Sequence, residues 1–128
     1  MNKQLVFVYG TLRRGGAGAM SGRFPLAKFI AEATVSGSLY DLGAYPGLRL
    51  DEPNTPVKGE VYEVDDETLA RLDEFEATSR YVRKQFEISL DTDRHVCWTY
   101  EPDPAFYSLR TLITSGDWIE YAGTKAEP

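Results

Sequence analysis

Cysteine and histidine are almost absent from this chain of 128 residues, which has one of each, Cys97 and His95. A single cysteine excludes an internal disulfide and makes a reducing cytoplasm the natural home. A thiol nucleophile at Cys97 is a poor reading, because the residue lies in an apparent strand and one buried thiol is usually just packing. A histidine-based zinc site or a Ser-His-Asp triad would have to rest on His95 alone, which argues against both. Long apolar runs are lacking too, so no membrane helix is expected, and Met1-Asn2-Lys3 leads into a strand, not a signal sequence. Positive charge is in deficit. The formal net charge of −6 disfavours nucleic acid and anionic membrane surfaces as partners. There is no linker, low-complexity block or internal repeat. What is present is one domain with a hydrophobic fraction of 42%, large enough to bury a core without disulfide or metal help.

The most informative residue is Glu76, a carboxylate where a core residue should be. Asp66 to Glu76 reads as an amphipathic helix, and at roughly 100° per residue Leu69, Leu72 and Phe75 form its apolar stripe. Glu76 stands four residues after Leu72 and seven after Leu69, so it points between them. An ionised carboxylate on that face is costly unless something pairs with it or uses it. Burial also raises its pKa, which makes a carboxylate useful as both proton acceptor and donor. The competing reading is that the helix frays there and Glu76 reaches water.

At the start of the chain, Gln4 to Tyr9 is apolar on both faces of a strand, so a central, fully buried strand is expected. It runs into Gly10-Thr11-Leu12-Arg13-Arg14-Gly15-Gly16. A buried strand ending in a glycine turn presents a row of unpaired backbone N–H groups, and such nests bind carboxylates, phosphates or oxyanions. A plain tight turn explains the same residues. Two phosphate motifs fail here. Gly16 stands where a P-loop needs Lys, and Gly16-Ala17-Gly18-Ala19-Met20-Ser21 lacks the third glycine of the dinucleotide pattern. A nucleotide is therefore not expected.

Further along, Phe29 to Tyr40 reads as extended, with Gly37 as a bulge position. Gly43 to Gly47 is a turn, Gly47 to Leu50 a short strand, and Asp51 to Pro56 a loop. Val57 to Val64 is a strand, with Val57, Gly59, Val61 and Glu63 on one face and Lys58, Glu60, Tyr62 and Val64 on the other. Asp65 then caps the helix, and Glu67 in its first turn suits the dipole. In Tyr81 to Leu90 the alternation sends Val82, Phe86, Ile88 and Leu90 inward and Arg83, Gln85, Glu87 and Ser89 outward. His95 to Tyr100 is its partner strand, with Val96, Trp98 and Tyr100 on one side. Two prolines make Glu101 to Ala105 a loop. Thr114 to Ile119 closes the ordered part. Residues 1–121 are expected to form the single domain, and 122–128 a flexible C-terminal tail. Many short strands with one good helix indicate an α+β protein whose sheet curls into a barrel.

Four blocks together carry a resemblance: Phe7-Val8-Tyr9-Gly10-Thr11-Leu12-Arg13, Gly59-Glu60-Val61-Tyr62, Leu72-Asp73-Glu74-Phe75-Glu76 and Tyr81-Val82-Arg83. In order and spacing they resemble the gamma-glutamylcyclotransferase-like family, most of all its small gamma-glutamylamine cyclotransferases and their bacterial relatives. The similarity runs from about residue 4 to about residue 118. It implies a small mixed β-barrel flanked by helices. It also implies release of an amine from a small gamma-glutamyl substrate, the glutamyl part closing on itself to 5-oxoproline. The family's substrate-binding block, which acts through backbone N–H groups, falls on Tyr9, Gly10, Thr11 and Leu12. Its acid/base glutamate falls on Glu76.

That chemistry suits these groups. The substrate's own α-amine is a tethered nucleophile, so ring closure starts with a large effective-molarity advantage. One carboxylate can take a proton from the ammonium and deliver one to the leaving amine. The loop N–H groups would hold the α-carboxylate or stabilise the oxyanion. No metal, nucleotide or redox cofactor is needed. The family glutamate is often followed by glycine, whereas here Ala77 follows, so the pocket rim near Ala77 and Arg80 is expected to be reshaped. Tyr62, Tyr81 and Tyr100 are candidates for the pocket wall, although buried tyrosines at strand positions are more often core. A non-catalytic protein using the same cavity for an amino-acid-like or acyl ligand, and a hydrolase using Glu76 to activate water, are the alternatives.

Overall fold

A computed structural model describes residues 3–14, 19–52, 55–104 and 111–125. The glycine run at 15–18, part of the loop at 53–54, the end of the proline loop at 105 and the last tail residues 126–128 lie outside the described residues. In chain order the elements are β1 (Lys3–Val8), α1 (Met20–Arg23), β2 (Lys28–Asp41), β3 (Pro46–Arg49) and β4 (Thr55–Asp65). They continue with α2 (Asp66–Ala77), β5 (Tyr81–Leu90), β6 (Asp93–Pro102), β7 (Thr111–Leu112) and α3 (Trp118–Lys125).

The strands form one mixed sheet in the order β3-β2-β4-β1-β6-β5, with β7 paired to β2. β1 lies near its centre, antiparallel to β4 and parallel to β6. The second half of its apolar run has the expected reason, Val6 and Val8 entering one core cluster and Phe7 and Tyr9 the other, while Gln4 and Leu5 are only half-buried. A strand covered on both faces must be apolar at every position. The sheet curls into a half-barrel that brings its outer strands together at one end. There the Tyr81 hydroxyl at the start of β5 donates to the Pro46 carbonyl of β3 at 2.6 Å.

α2 packs across the first cluster. Asp65 caps it as expected, its side chain accepting the Thr68 N–H at 2.8 Å and leaving one fewer orphan donor in the first turn. Leu69 and Leu72 are buried, and Phe75 packs against the same cluster. Full burial of a leucine such as Leu72 is worth about 2 kcal/mol. The helix ends at Ala77, and Arg80, with a φ of 64°, turns the backbone into β5.

Several expectations change in the fold. The irregularity in β2 lies between Phe29 and Ala31, not at Gly37. At Gly37 a side chain would instead press on the Arg49 carbonyl and Leu48, so glycine serves close approach of β3. In β5 the inward parity reverses at one end: Val82 is exposed and Tyr81 is buried. Its far end follows the alternation, with Ile88 buried, because a twisted strand does not keep one face toward the core along its length. Glu101 and Pro102 are not loop but the last two residues of β6, where Pro102 occupies a strand end. α3 runs past residue 121 to Lys125, with Ala122 packed on the second cluster, so the segment expected to be tail begins as helix.

Before α3, Gly116 has φ +67°, its carbonyl accepts the Lys58 N–H at 2.8 Å, and a Cβ there would collide with the Pro56 carbonyl oxygen. Gly116→Ala is expected to cost about 2–4 kcal/mol from left-handed strain plus overpacking. Denaturant unfolding should show a clearly lower midpoint, and an unchanged midpoint would mean the joint relaxes freely.

Candidate active site

The end of the barrel where the outer strands meet encloses a cavity of about 400 Å³. Three separate stretches build it. The end of β1 delivers Tyr9, Gly10, Thr11 and Leu12, the turn before β3 delivers Ala44, Tyr45 and Pro46, and the end of α2 delivers Phe75, Glu76, Thr78 and Ser79. Tyr81 and Tyr100 form part of the wall, and Arg23 of α1 reaches the edge. All five residues singled out from the sequence therefore meet in one hollow. Tyr62 does not line it; its hydroxyl donates to Glu60 at 2.9 Å. The rim next to Glu76 is made by Thr78 and Ser79, while Ala77 and Arg80 are exposed and stand outside the lining.

Glu76 sits in the last turn of α2, which continues to Ala77. The helix does not fray at that position. The side chain is half-buried and opens into the cavity. Loss of water raises its pKa from 4.5 to about 7, and no cation among the described residues offsets that. A carboxyl poised near neutrality exchanges protons readily in both directions.

Opposite it, the loop after β1 is held open by its own bonds. The Arg13 N–H donates to the Gly10 carbonyl at 3.0 Å, and the Met20 N–H to the Leu12 carbonyl at 2.9 Å. Among the described residues, none accepts a hydrogen bond from the N–H of Gly10, Thr11 or Leu12. Donors left without internal acceptors beside a cavity are suited to an anion. Gly10 also brings the loop against β3, since a Cβ there would meet Pro46 Cγ at 2.9 Å. Tyr9 is buried and its hydroxyl is committed within the fold, donating to the Tyr100 carbonyl at 2.6 Å and accepting the Leu48 N–H at 3.2 Å. Burial first, and then Tyr81, hold its titration well above the usual range. The Tyr100 hydroxyl donates to Asp73 at 2.7 Å. Both tyrosines serve as wall, keeping their polar ends satisfied.

Sequence reasoning missed Arg23, Tyr45 and Pro46, because their approach depends on how distant segments pack. It also passed over Glu60, whose signal was legible: a carboxylate in the middle of the strand Val57 to Val64, on the same face as Tyr62 and Val64. Glu60 is itself only 3% exposed.

Residues 6–120 match the family described as gamma-glutamyl cyclotransferase, AIG2-like. The chain belongs to this family. A relative from Vibrio cholerae is 39% identical over 118 residues, 92% of this chain and 97% of its own. The gamma-L-glutamyl-butirosin B gamma-glutamyl cyclotransferase of Niallia circulans is 36% identical over 131 residues, covering 91% of this chain and 76% of that protein. Among solved structures, YkqA from Bacillus subtilis aligns over 99% of this chain with a TM-score of 0.77 and 28% identity; the match spans 44% of YkqA. The expected curled mixed sheet with flanking helices is the family's fold. Among the described residues, no helix is long and apolar enough to cross a membrane.

Proposed function

We propose that the chain is a cyclotransferase that releases an amine from a gamma-glutamyl amide as the glutamyl part closes to 5-oxoproline. The observation that carries this reading is the shared cavity: one carboxyl with a pKa near 7 and a loop whose Gly10, Thr11 and Leu12 N–H groups have no acceptor among the described residues line the same hollow. In the reaction, Glu76 takes a proton from the substrate's α-ammonium. The freed nitrogen attacks the γ-carbonyl carbon, the bond from that carbon to the leaving nitrogen breaks as Glu76 returns the proton to it, and Glu76 then carries the extra proton of the ring nitrogen to the departing amine, which leaves as an ammonium. Atoms balance without water, and the carboxylate ends as it began. The N–H groups of Gly10, Thr11 and Leu12 hold the α-carboxylate or the developing oxyanion. The leaving amine lies toward Arg23, Tyr45, Thr78 and Ser79, so these residues set its identity.

A screen of gamma-glutamyl amides and dipeptides with detection of 5-oxoproline tests the reading, and an absence of 5-oxoproline from every member would sink it. The pH profile adds a second check. Glu76 must be ionised to accept the proton, so kcat/KM should rise as pH increases through about 7 and level off above it. A profile flat from about pH 5 to pH 8 would take the group that titrates near 7 out of the mechanism.

A further inference from the structure

Glu60 is a buried carboxylate that the proposed chemistry does not use, and it lies directly beneath the loop that the chemistry needs. It projects from the middle of β4, opposite Val8 of β1 and Glu32 of β2 in the ladders. Its two oxygens accept the Arg14 backbone N–H at 3.0 and 3.3 Å, and one also accepts the Tyr62 hydroxyl at 2.9 Å. The Nε atoms of Arg14 and Arg13 lie 3.7 and 4.0 Å from it. Arg13 also reaches across to Asp117, donating to Oδ1 at 2.9 Å, and Asp117 accepts the Glu120 N–H in the first turn of α3. Arg13 thus spans Glu60 below and α3 at the side.

These bonds use up the donors on one side of the turn only. The Arg14 N–H goes to Glu60 and the Arg13 N–H to Gly10, leaving those of Gly10, Thr11 and Leu12 at the cavity. A strand position with Gly59 and Val61 buried on either side has an obvious apolar alternative. A hydrophobic residue there would leave the Arg14 N–H without its acceptor and take away the negative charge beside both guanidinium groups. The carboxylate is therefore explained by what it does to the loop.

We propose that Glu60 is a positioning residue: it clamps the Arg13–Arg14 end of the loop, with Asp117 bracing from α3, so that the Gly10–Leu12 N–H groups are preorganised for the substrate's α-carboxylate. The inference rests on the reading of that loop as the carboxylate site. Glu60 touches no substrate and moves no proton. Its negative charge is masked from the bound anion by the two arginines that it draws in.

The test separates positioning from mere support of the fold. In a Glu76→Gln background, which leaves ligand unconsumed, calorimetry would measure gamma-glutamylalanine and its counterpart with the glutamyl α-carboxylate converted to a carboxamide. The parent should prefer the carboxylate by about tenfold, as for one lost charged hydrogen bond. Adding Glu60→Gln, which keeps size and an acceptor but not charge, should weaken the carboxylate ligand by about tenfold and the carboxamide by less than about twofold. Asp117→Asn keeps a cap for Glu120 and should move the same ratio in the same direction by less, so it serves if Glu60→Gln fails to fold. Equal weakening of both ligands, an unchanged preference, or no binding of either ligand to the parent would overturn the proposal. If the wild-type protein binds these ligands and the ratio shifts as stated but no 5-oxoproline forms, the cyclotransferase reading falls while the role of Glu60 stands.

Discussion

Glu76→Gln is expected to lower turnover by about two to four orders of magnitude, the usual share of a positioned acid/base group, while substrate binding is largely kept. The amide preserves size and cannot carry the proton. The same substitution should alter stability in a pH-dependent way. The folded-state pKa of Glu76 is raised from 4.5 to about 7, so the fold binds this proton more tightly than the unfolded chain does. The protonated carboxyl therefore favours the fold below about pH 4.5; that advantage fades as pH rises and is gone above about 7. Gln stays neutral throughout. The variant should melt several degrees above the wild type at about pH 8 and close to it at about pH 4. Near-normal turnover by a well-folded variant would remove Glu76 from the mechanism. Lower stability of the variant at alkaline pH would mean that the carboxylate has a partner that offsets its burial.

Acylating the substrate's α-amine is expected to abolish amine release altogether, because that nitrogen is the nucleophile. The effect should exceed that of any change on the leaving side, where substitutions at the rim formed by Thr78, Ser79 and Tyr45 act only through binding and orientation. Cyclisation draws its rate from holding both reacting groups in one molecule, an advantage that water lacks. A direct assay of released amine from free and N-acetylated forms of the same amide decides the matter. Rapid release from the acetylated form, with a glutamate derivative and no 5-oxoproline as product, would establish water as the attacking group and Glu76 as its general base. Binding of both forms with no release from either would leave the cavity as a ligand site without catalysis.

Local pattern carried a good deal of this molecule. The apolar run Leu5 to Tyr9 determined that β1 is covered on both faces. The Asp65 cap and the Leu69, Leu72, Phe75 stripe determined α2, and with it the anomaly at Glu76. The near-absence of cysteine and histidine argued against thiol, histidine-bound zinc and triad chemistry. Only the tertiary structure decided that Glu76 faces Gly10 and Thr11 across one hollow, that Val82 turns outward while Tyr81 closes the barrel, and that Glu60 holds the loop. It also decided that Thr78 and Ser79, not Ala77 and Arg80, edge the cavity, and that α3 extends to Lys125. The reason is physical. Periodicity reports which side of an element avoids water, a property of neighbouring residues along the chain. What stands opposite that side is set by sheet twist, strand order and the meeting of distant segments. A cavity exists only between elements, so no single stretch of this sequence contains it.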